Sequence, residues 1–363
     1  MATDKKTKAQ DSTTPYLPEE LIIKILVRLP AKVLHRSMKL VCKQWACIIC
    51  DPLFIEAHLC QSKTGLFIGS VGSSCHAHFL EIKCGEFRVT DLRVRFPGRM
   101  VASCDGVSLF NDPNSHRSFY VANPATLQVT TLPHLDVPPN PLYYSSCIAR
   151  IPSTGKFKVV HSYKDLHLEY HWLVLTVGID NSWRKINCQQ AFGNDEIELD
   201  CFPVSVAGVI YWTDYDFQLN GINYFLAMDM EDETIVKVPI PSGCAEPCVY
   251  LQMGDFLSCF TTNLPTSQFD ILVLKDLQKG EWVKVYEIGM EVGRDVPQDL
   301  FFVLPLGWLN NDEVLVLEAL TFQGDLHLAY DVKKKETRVV DLSVCGSNFL
   351  PHIHIDSLIS WMT

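Results

Sequence analysis

The segment Phe119-Tyr120-Val121-Ala122-Asn123-Pro124-Ala125-Thr126, closed by Thr131-Leu132-Pro133, is one copy of a unit that returns along the chain. It comes back as Phe225-Leu226-Ala227-Met228-Asp229-Met230-Glu231 with Val236-Lys237-Val238-Pro239. It comes back again as His327-Leu328-Ala329-Tyr330-Asp331-Val332-Lys333 with Val339-Val340-Asp341-Leu342. Two copies carry tryptophan in the second half: Leu175-Thr176-Val177 to Ser182-Trp183-Arg184, and Ile271-Leu272-Val273-Leu274 to Glu281-Trp282-Val283. A sixth runs from Phe79-Leu80-Glu81-Ile82 to Phe87-Arg88-Val89. Each copy is an apolar run, a polar turn and a second run, at intervals of roughly 40 to 57 residues.

A unit of this length cannot bury its own sheet faces, so copies must stack around an axis. Six copies predict a large all-β domain over residues 61–363, an irregular, roughly six-bladed β-propeller. A β-sandwich would use fewer strands than this segment supplies. Gly65–Gly69, Lys156–Val160, His171–Val177, Gly208–Trp212 and Val314–Leu317 read as further strands between turn signals.

Upstream of Ser62 the pattern is helical. Pro18 with Glu19-Glu20 is a helix-start signal, because proline fits a first turn and carboxylates suit the positive end of the helix dipole. Leu21, Ile22, Ile25, Leu26 and Leu29 then form one apolar stripe, and Pro30 ends it. A second helix is expected from about Val33 to Cys42, with Leu34, Met38 and Val41 inward. A third piece carries Trp45, Ile48 and Ile49 up to Asp51-Pro52, and Leu53, Phe54 and Leu59 add one more amphipathic turn. So small a module buries little surface by itself, and its stripe is wider than its own core needs. It is either a cap on the larger domain or a surface that docks a partner helix-in-groove. Residues 1–14 are polar and expected to be disordered.

The order Tyr16-Leu17-Pro18-Glu19-Glu20-Leu21-Ile22-x-x-Ile25-Leu26-x-Arg28-Leu29-Pro30-x-Lys32 resembles the opening of an F-box. Arg36, Val41-Cys42-Lys43-x-Trp45, Ile48-Ile49, Asp51-Pro52-x-Phe54 and His58-Leu59 continue the pattern. Val33 stands where many relatives carry Ser, and Ser37-Met38 is one residue longer than usual. The resemblance implies an N-terminal all-α F-box, a short three-helix module over residues 15–60, that binds a Skp-type adaptor and, through it, a cullin. It implies adaptor contacts among Leu17, Pro18, Leu21, Ile22, Ile25, Leu26, Leu29, Pro30, Leu34, Val41, Cys42 and Trp45. Ala102-Ser103-Cys104-Asp105-Gly106-Val107, Val121-Ala122-Asn123-Pro124-x-Thr126, Phe157-Lys158-Val159-Val160, Ser182-Trp183-Arg184 and Gly208-Val209-Ile210-Tyr211-Trp212 resemble the F-box-associated, kelch-like domain of plant F-box proteins. Relatives usually have Asn-Gly-Leu at Asp105-Gly106-Val107. In that family the domain selects the protein to be ubiquitinated.

Composition agrees with a receptor that works by binding. The net charge of −11 argues against a nucleic-acid partner. Residues 1–14 carry +1 and residues 15–60 carry +2, which leaves −14 on the body and suits a neutral or basic target. The longest apolar runs, Val204–Trp212 and Leu300–Leu309, are short for a membrane span. Fourteen scattered cysteines, no Asn-x-Ser/Thr sequon and no secretory leader predict an intracellular protein, in cytoplasm or nucleus or both, with buried free thiols.

No Gly-x-Ser-x-Gly, Gly-x-Gly-x-x-Gly or phosphate loop is present, and neither catalytic residue nor cofactor is expected. Cys42, Cys47 and Cys50 read as buried thiols. Cys75-His76-x-His78 and His352-x-His354 read as a loop and a strand with no metal bound. Asp214-Tyr215-Asp216 could pair carboxylates for acid–base work, but its surroundings suit a solvated loop better. Loops at Pro138–Pro141, Asn194–Asp200, Asp214–Asn220 and Thr261–Ser267 are candidates for target contact. The alternative readings are a glycan-binding or glycan-processing propeller, with Tyr143 and Tyr144 stacking on sugar, or an F-box scaffold outside a ligase.

Overall fold

A computed structural model describes residues 17–362 apart from 71–76, 93–95, 97, 113–114, 139–140, 187–202, 214–223, 243–247, 264–267, 291–298 and 346–348. Helix α1 (Glu19–Leu26) starts behind Pro18, with both glutamates in its first turn. Pro30 ends that segment and also caps α2 (Ala31–Arg36), since its fixed φ suits entry into a helix as well as exit from one. The second helix is shorter than expected. At Ser37 the backbone leaves helical geometry (φ −124°, ψ −55°), and Met38–Leu40 tightens into a 3₁₀ turn before α3 (Lys43–Cys50). The expected extra turn is a full helix, α4 (Pro52–Gln61). Asp51 caps it by accepting from the backbone N–H of Leu53 (2.8 Å) and Phe54 (3.2 Å).

The body is six four-stranded antiparallel sheets. The first blade pairs β1 (Thr64–Ser70), β2 (Ala77–Lys83) and β3 (Glu86–Asp91) with β24 (Phe349–Ile355), which lies on the inner side of β1. The second holds β4 (Arg99–Cys104), β5 (Val107–Asp112), β6 (Ser115–Asn123) and β7 (Gln128–Thr131). The third holds β8 (Tyr143–Arg150), β9 (Phe157–Lys164), β10 (Tyr170–Thr176) and β11 (Arg184–Ile186). The fourth holds β12 (Val204–Val206), β13 (Val209–Trp212), β14 (Tyr224–Asp229) and β15 (Ile235–Pro239). The fifth holds β16 (Cys248–Met253), β17 (Phe256–Asn263), β18 (Gln268–Asp276) and β19 (Glu281–Gly289). The sixth holds β20 (Leu300–Leu309), β21 (Val314–Thr321), β22 (Leu326–Asp331) and β23 (Glu336–Val339). Strands β24, β4, β8, β12, β16 and β20 neighbour one another in a closed ring around the axis.

The repeated sequence unit is the outer hairpin of each blade, and its turn has a physical basis. Asn123, Asp229, Asp276 and Asp331 each accept backbone N–H bonds two or three residues on, at 2.8–3.2 Å. Each of these turns ends in a left-handed residue, at Leu127, Glu233, Gly280 and Lys335. Neighbouring blades are stitched through the same units. Trp183 Nε1 donates to the Pro133 carbonyl (2.8 Å) and Trp282 Nε1 to the Pro239 carbonyl (2.9 Å).

Antiparallel topology sorts the connections by end. Turns between first and second strands, and between third and fourth, gather on the end that carries the helical head. Connections between second and third strands, and from blade to blade, gather on the far end. Of the four candidate target-contact segments, only Pro138, Pro141 and Thr261–Asn263 are described, and these lie at the far end. Asn194–Asp200, Asp214–Asn220 (and with it the Asp214–Asp216 pair), Pro139, Asn140 and residues 264–267 lie outside the described residues.

His354 on β24 is 2% exposed and shares a 2.8 Å hydrogen bond through Nδ1 with Ser103 Oγ. Burial pushes its pKa down to about 4, against a smaller upward pull from Asp356. The unfolded chain, with an ordinary value near 6.5, takes up this proton first as pH falls. The stabilisation is therefore complete above pH about 6.5 and is lost towards pH about 4, a total of about 3 kcal/mol. Urea unfolding at pH about 7.5 and about 5 is expected to show a loss in the wild type that His354→Asn reduces by about 2 kcal/mol. An equal loss in both proteins would refute the assignment to His354.

Candidate protein-interaction site

The helical head divides its apolar stripe between two tasks. Ile22, Leu26 and Leu34 are buried, with Ala31, Ile48, Ile49 and Phe54, in the head's own core. Leu29 and Trp45 are half-buried against that core. Leu17 (51% exposed), just before the helix, and Leu21 (43%) and Ile25 (51%), one turn apart on it, form an exposed row along the edge of the stripe. Pro18, Pro30, Val41 and Cys42 are exposed too. Gln44 Nε2 donates to Glu19 (3.2 Å), so the start of α3, and with it Val41 and Cys42, lies beside the start of α1.

Of the twelve residues expected to contact an adaptor, seven are exposed (Leu17, Pro18, Leu21, Ile25, Pro30, Val41 and Cys42), Leu29 and Trp45 are half-buried, and Ile22, Leu26 and Leu34 are buried. Leu40, outside that set, is 80% exposed. Leu40 sits in the 3₁₀ turn, where the helical phase used to sort inward from outward residues no longer applies. Cys42, Cys47 and Cys50, expected to be buried, are exposed, as are Cys60 and Cys84; Cys147, Cys248, Cys259 and Cys345 are buried. The head thiols point outward because the core of this short module is filled by its aliphatic residues. His352 and His354 alternate on β24 as a strand requires, and Cys75 and His76 lie outside the described residues.

The head sits on the propeller through a built joint. Leu358, in the segment after β24, and Ala125, in the outer turn of the second blade, complete the head core. Arg150, at the end of β8, reaches both domains. Its Nη1 donates to Glu56 of α4 (3.1 Å) and to Asp105 in the β4–β5 turn (3.5 Å), and its Nη2 also donates to Glu56. The hydrogen bond from Arg150 holds the Glu56 carboxyl below its ordinary range, while burial raises that of Asp105. Lys32 pairs with Asp356 at 3.7 Å.

Residues 356–361 cross beneath the head from the first blade to the third. Ser357 Oγ donates to the Asp105 carbonyl (2.6 Å), and Asn123 Nδ2 donates to the carbonyls of Ser357 (3.0 Å) and Ile359 (2.9 Å). Ile359 and Trp361 are buried in the propeller core. This crossing explains Gly106, at φ +83°: a Cβ there would stand 2.2 Å from Ser357 Oγ and 2.5 Å from the Ile355 carbonyl. Gly106→Ala is expected to cost about 2–4 kcal/mol, from left-handed backbone and the clash together. Chemical denaturation measures it, and a cost under about 1 kcal/mol would mean that the crossing segment yields easily.

Among the described residues no helix is long and apolar enough to cross a membrane. Residues 14–62 match the F-box-like family, and residues 70–359 match the F-box associated beta propeller domain family. The chain is similar to F-box protein At1g30790 of Arabidopsis thaliana, 27% identical with 90% of each chain covered. It is also similar to F-box protein At5g49610 of the same plant, 26% identical, covering 80% of this chain and 84% of the relative. A helical head with an exposed apolar row, seated on a six-bladed propeller that matches along nearly its whole length, makes the chain a member of the plant F-box proteins with an F-box-associated β-propeller domain.

Proposed function

We propose that this protein is the substrate-recognition subunit of a Skp–cullin–F-box ubiquitin ligase. The exposed row Leu17, Leu21 and Ile25, with Val41 and Cys42 beside it, docks a Skp-type adaptor, and the cullin is reached through that adaptor. The observation that carries the reading is the division of the stripe. The head fills its core with Ile22, Leu26 and Leu34 and still presents large aliphatic side chains to solvent. The far end of the propeller, opposite the head, takes a target protein for ubiquitination and degradation.

In this role the chain needs no catalytic group. Holding a target near a charged ubiquitin carrier raises their effective concentration, and that is the receptor's whole contribution. The joint at Arg150, Glu56 and Asp105 fixes the head relative to the far end. The test is co-expression with a Skp-type adaptor and its cullin. A stoichiometric complex supports the reading; a folded chain that captures neither protein overturns it.

A further inference from the structure

The third blade carries an acidic and aromatic rim on the far end. Tyr144, Tyr163 and His171 stand in register on β8, β9 and β10, in one row on the side that faces the second blade. Tyr163 is nearly buried (5% exposed), with its ring 4.8 Å from that of His171. It serves as the floor, on which Tyr144 (49% exposed) and His171 are held. Tyr144 also stacks with buried His161, ring centroids 6.2 Å apart.

One step nearer the tip the ladder continues through Leu142, whose N–H donates to the Lys164 carbonyl, and through Asp165, whose N–H donates to the Glu169 carbonyl. The carboxylates of Asp165 and Glu169 and a ring nitrogen of His171 lie within 4.8 Å of one another. His171 Nε2 hydrogen-bonds Asp165 at 2.9 Å. Burial alone would raise the Asp165 carboxyl. The bonds from His171 and from the N–H groups of Glu169 and His167 outweigh it and hold the group below its ordinary range. From the second blade, exposed Asp136 adds a third negative charge close enough to help raise the Tyr163 phenol. Leu142 (44% exposed), Leu166 (71%) and Leu168 (63%) give the rim an apolar border.

The carboxylates gather at His171 and the exposed ring of Tyr144 stands across Tyr163 from it, so one face of the blade offers both negative charge and an aromatic surface to a cationic segment. An arginine presents a planar fork of N–H groups that donates to carboxylates and stacks on a tyrosine. On its other side the same blade already holds a cation against an aromatic ring, with Lys164 Nζ 5.1 Å from the Tyr170 ring centroid. The chain's charge of −11 favours a basic partner at long range.

We propose that this rim, built on Tyr144, His171, Asp136, Asp165 and Glu169, docks a segment of the target protein in which an arginine stands next to aliphatic or aromatic residues. The proposal rests on the receptor reading above and names the class of target it would take.

The test selects displayed random peptides of about 12 residues on the purified chain–adaptor complex, then measures the affinity of a selected peptide by fluorescence polarisation. Wild type is expected to enrich arginine flanked by Leu, Phe or Tyr. The double variant Tyr144→Ala/Glu169→Gln, both sites being exposed, is expected to melt like wild type and to bind the peptide at least about 10-fold more weakly. Changing the peptide's arginine to glutamine is expected to give a loss of the same order. Selected peptides without basic residues, affinity unchanged in the variant, or no selection at all would overturn the proposal. Zn²⁺ binding that Glu169→Gln removes, with no peptide selected, assigns the cluster to a metal and overturns it equally. Adaptor capture by the same preparations reads the receptor role separately, so the rim can fail while that role stands.

Discussion

Replacing Leu21 with aspartate is expected to abolish capture of a Skp-type adaptor while leaving the chain's thermal unfolding unchanged. Leu21 is the middle member of the exposed row, one helical turn before Ile25 and in the first turn of the helix that follows Leu17. A carboxylate there would be buried without a partner on docking. The loss of a central aliphatic contact and the desolvation of a charge together cost about 2–4 kcal/mol, or roughly 30- to 1,000-fold in affinity. Nothing in the free chain opposes the change, because the aspartate stays in water. Leu26→Asp, one residue beyond Ile25 but fully buried, supplies the contrast: it is expected to unfold the head itself. Affinity by calorimetry and a thermal melt on the same sample decide the matter. An L21D chain that binds adaptor within about threefold of wild type would remove the exposed row from the interface.

Asn123→Asp is expected to destabilise the protein by about 3–5 kcal/mol, although aspartate occupies the matching turn position in three other blades. The oxygen side of Asn123 does what those aspartates do: it accepts from Ala125 (2.8 Å) and Thr126 (3.2 Å). Its amide side does something else, donating to two carbonyls of the crossing segment in a site with no solvent exposure. A carboxylate would present oxygen to oxygen there, and its charge would be buried without a cation. The reverse change, Asp229→Asn, keeps the turn acceptor and is expected to cost less than about 1 kcal/mol. Urea midpoints compare the two. Equal costs would show that the crossing segment is held by its apolar residues alone.

The six outer hairpins were legible because each carries a local signal: β-branched and aromatic runs around a polar turn, with an Asx residue at the turn in four of them. Both halves of the blade-to-blade stitches were legible as well, Leu132-Pro133 and Val238-Pro239 on one side, Trp183 and Trp282 on the other. Their pairing was not, because a hydrogen bond between residues about 50 apart leaves no periodicity. The place of Phe349–Ile355 inside the first blade was hidden for the same reason. In the head, the stripe gave the helix and its width. It could not separate Leu21 and Ile25 from Ile22 and Leu26, since neighbours on one stripe differ in burial only once α3 and α4 are packed. The acidic rim had no motif at all: Asp165 and Glu169 meet in the β9–β10 turn, and Asp136 approaches Tyr163 from the segment after β7.

The closure of the ring by β24, with Leu358 following it into the head, sets an order on biosynthesis. Strand β1 leaves the ribosome long before its inner partner does. Until residues 349–361 emerge, the first blade shows an unpaired edge and the head lacks part of its floor. Until then the head of a nascent chain lacks its full core, and an interrupted chain carries an open sheet edge that chaperones and proteases can read. Completion of the helical head is thereby coupled to synthesis of the strand that closes the first blade.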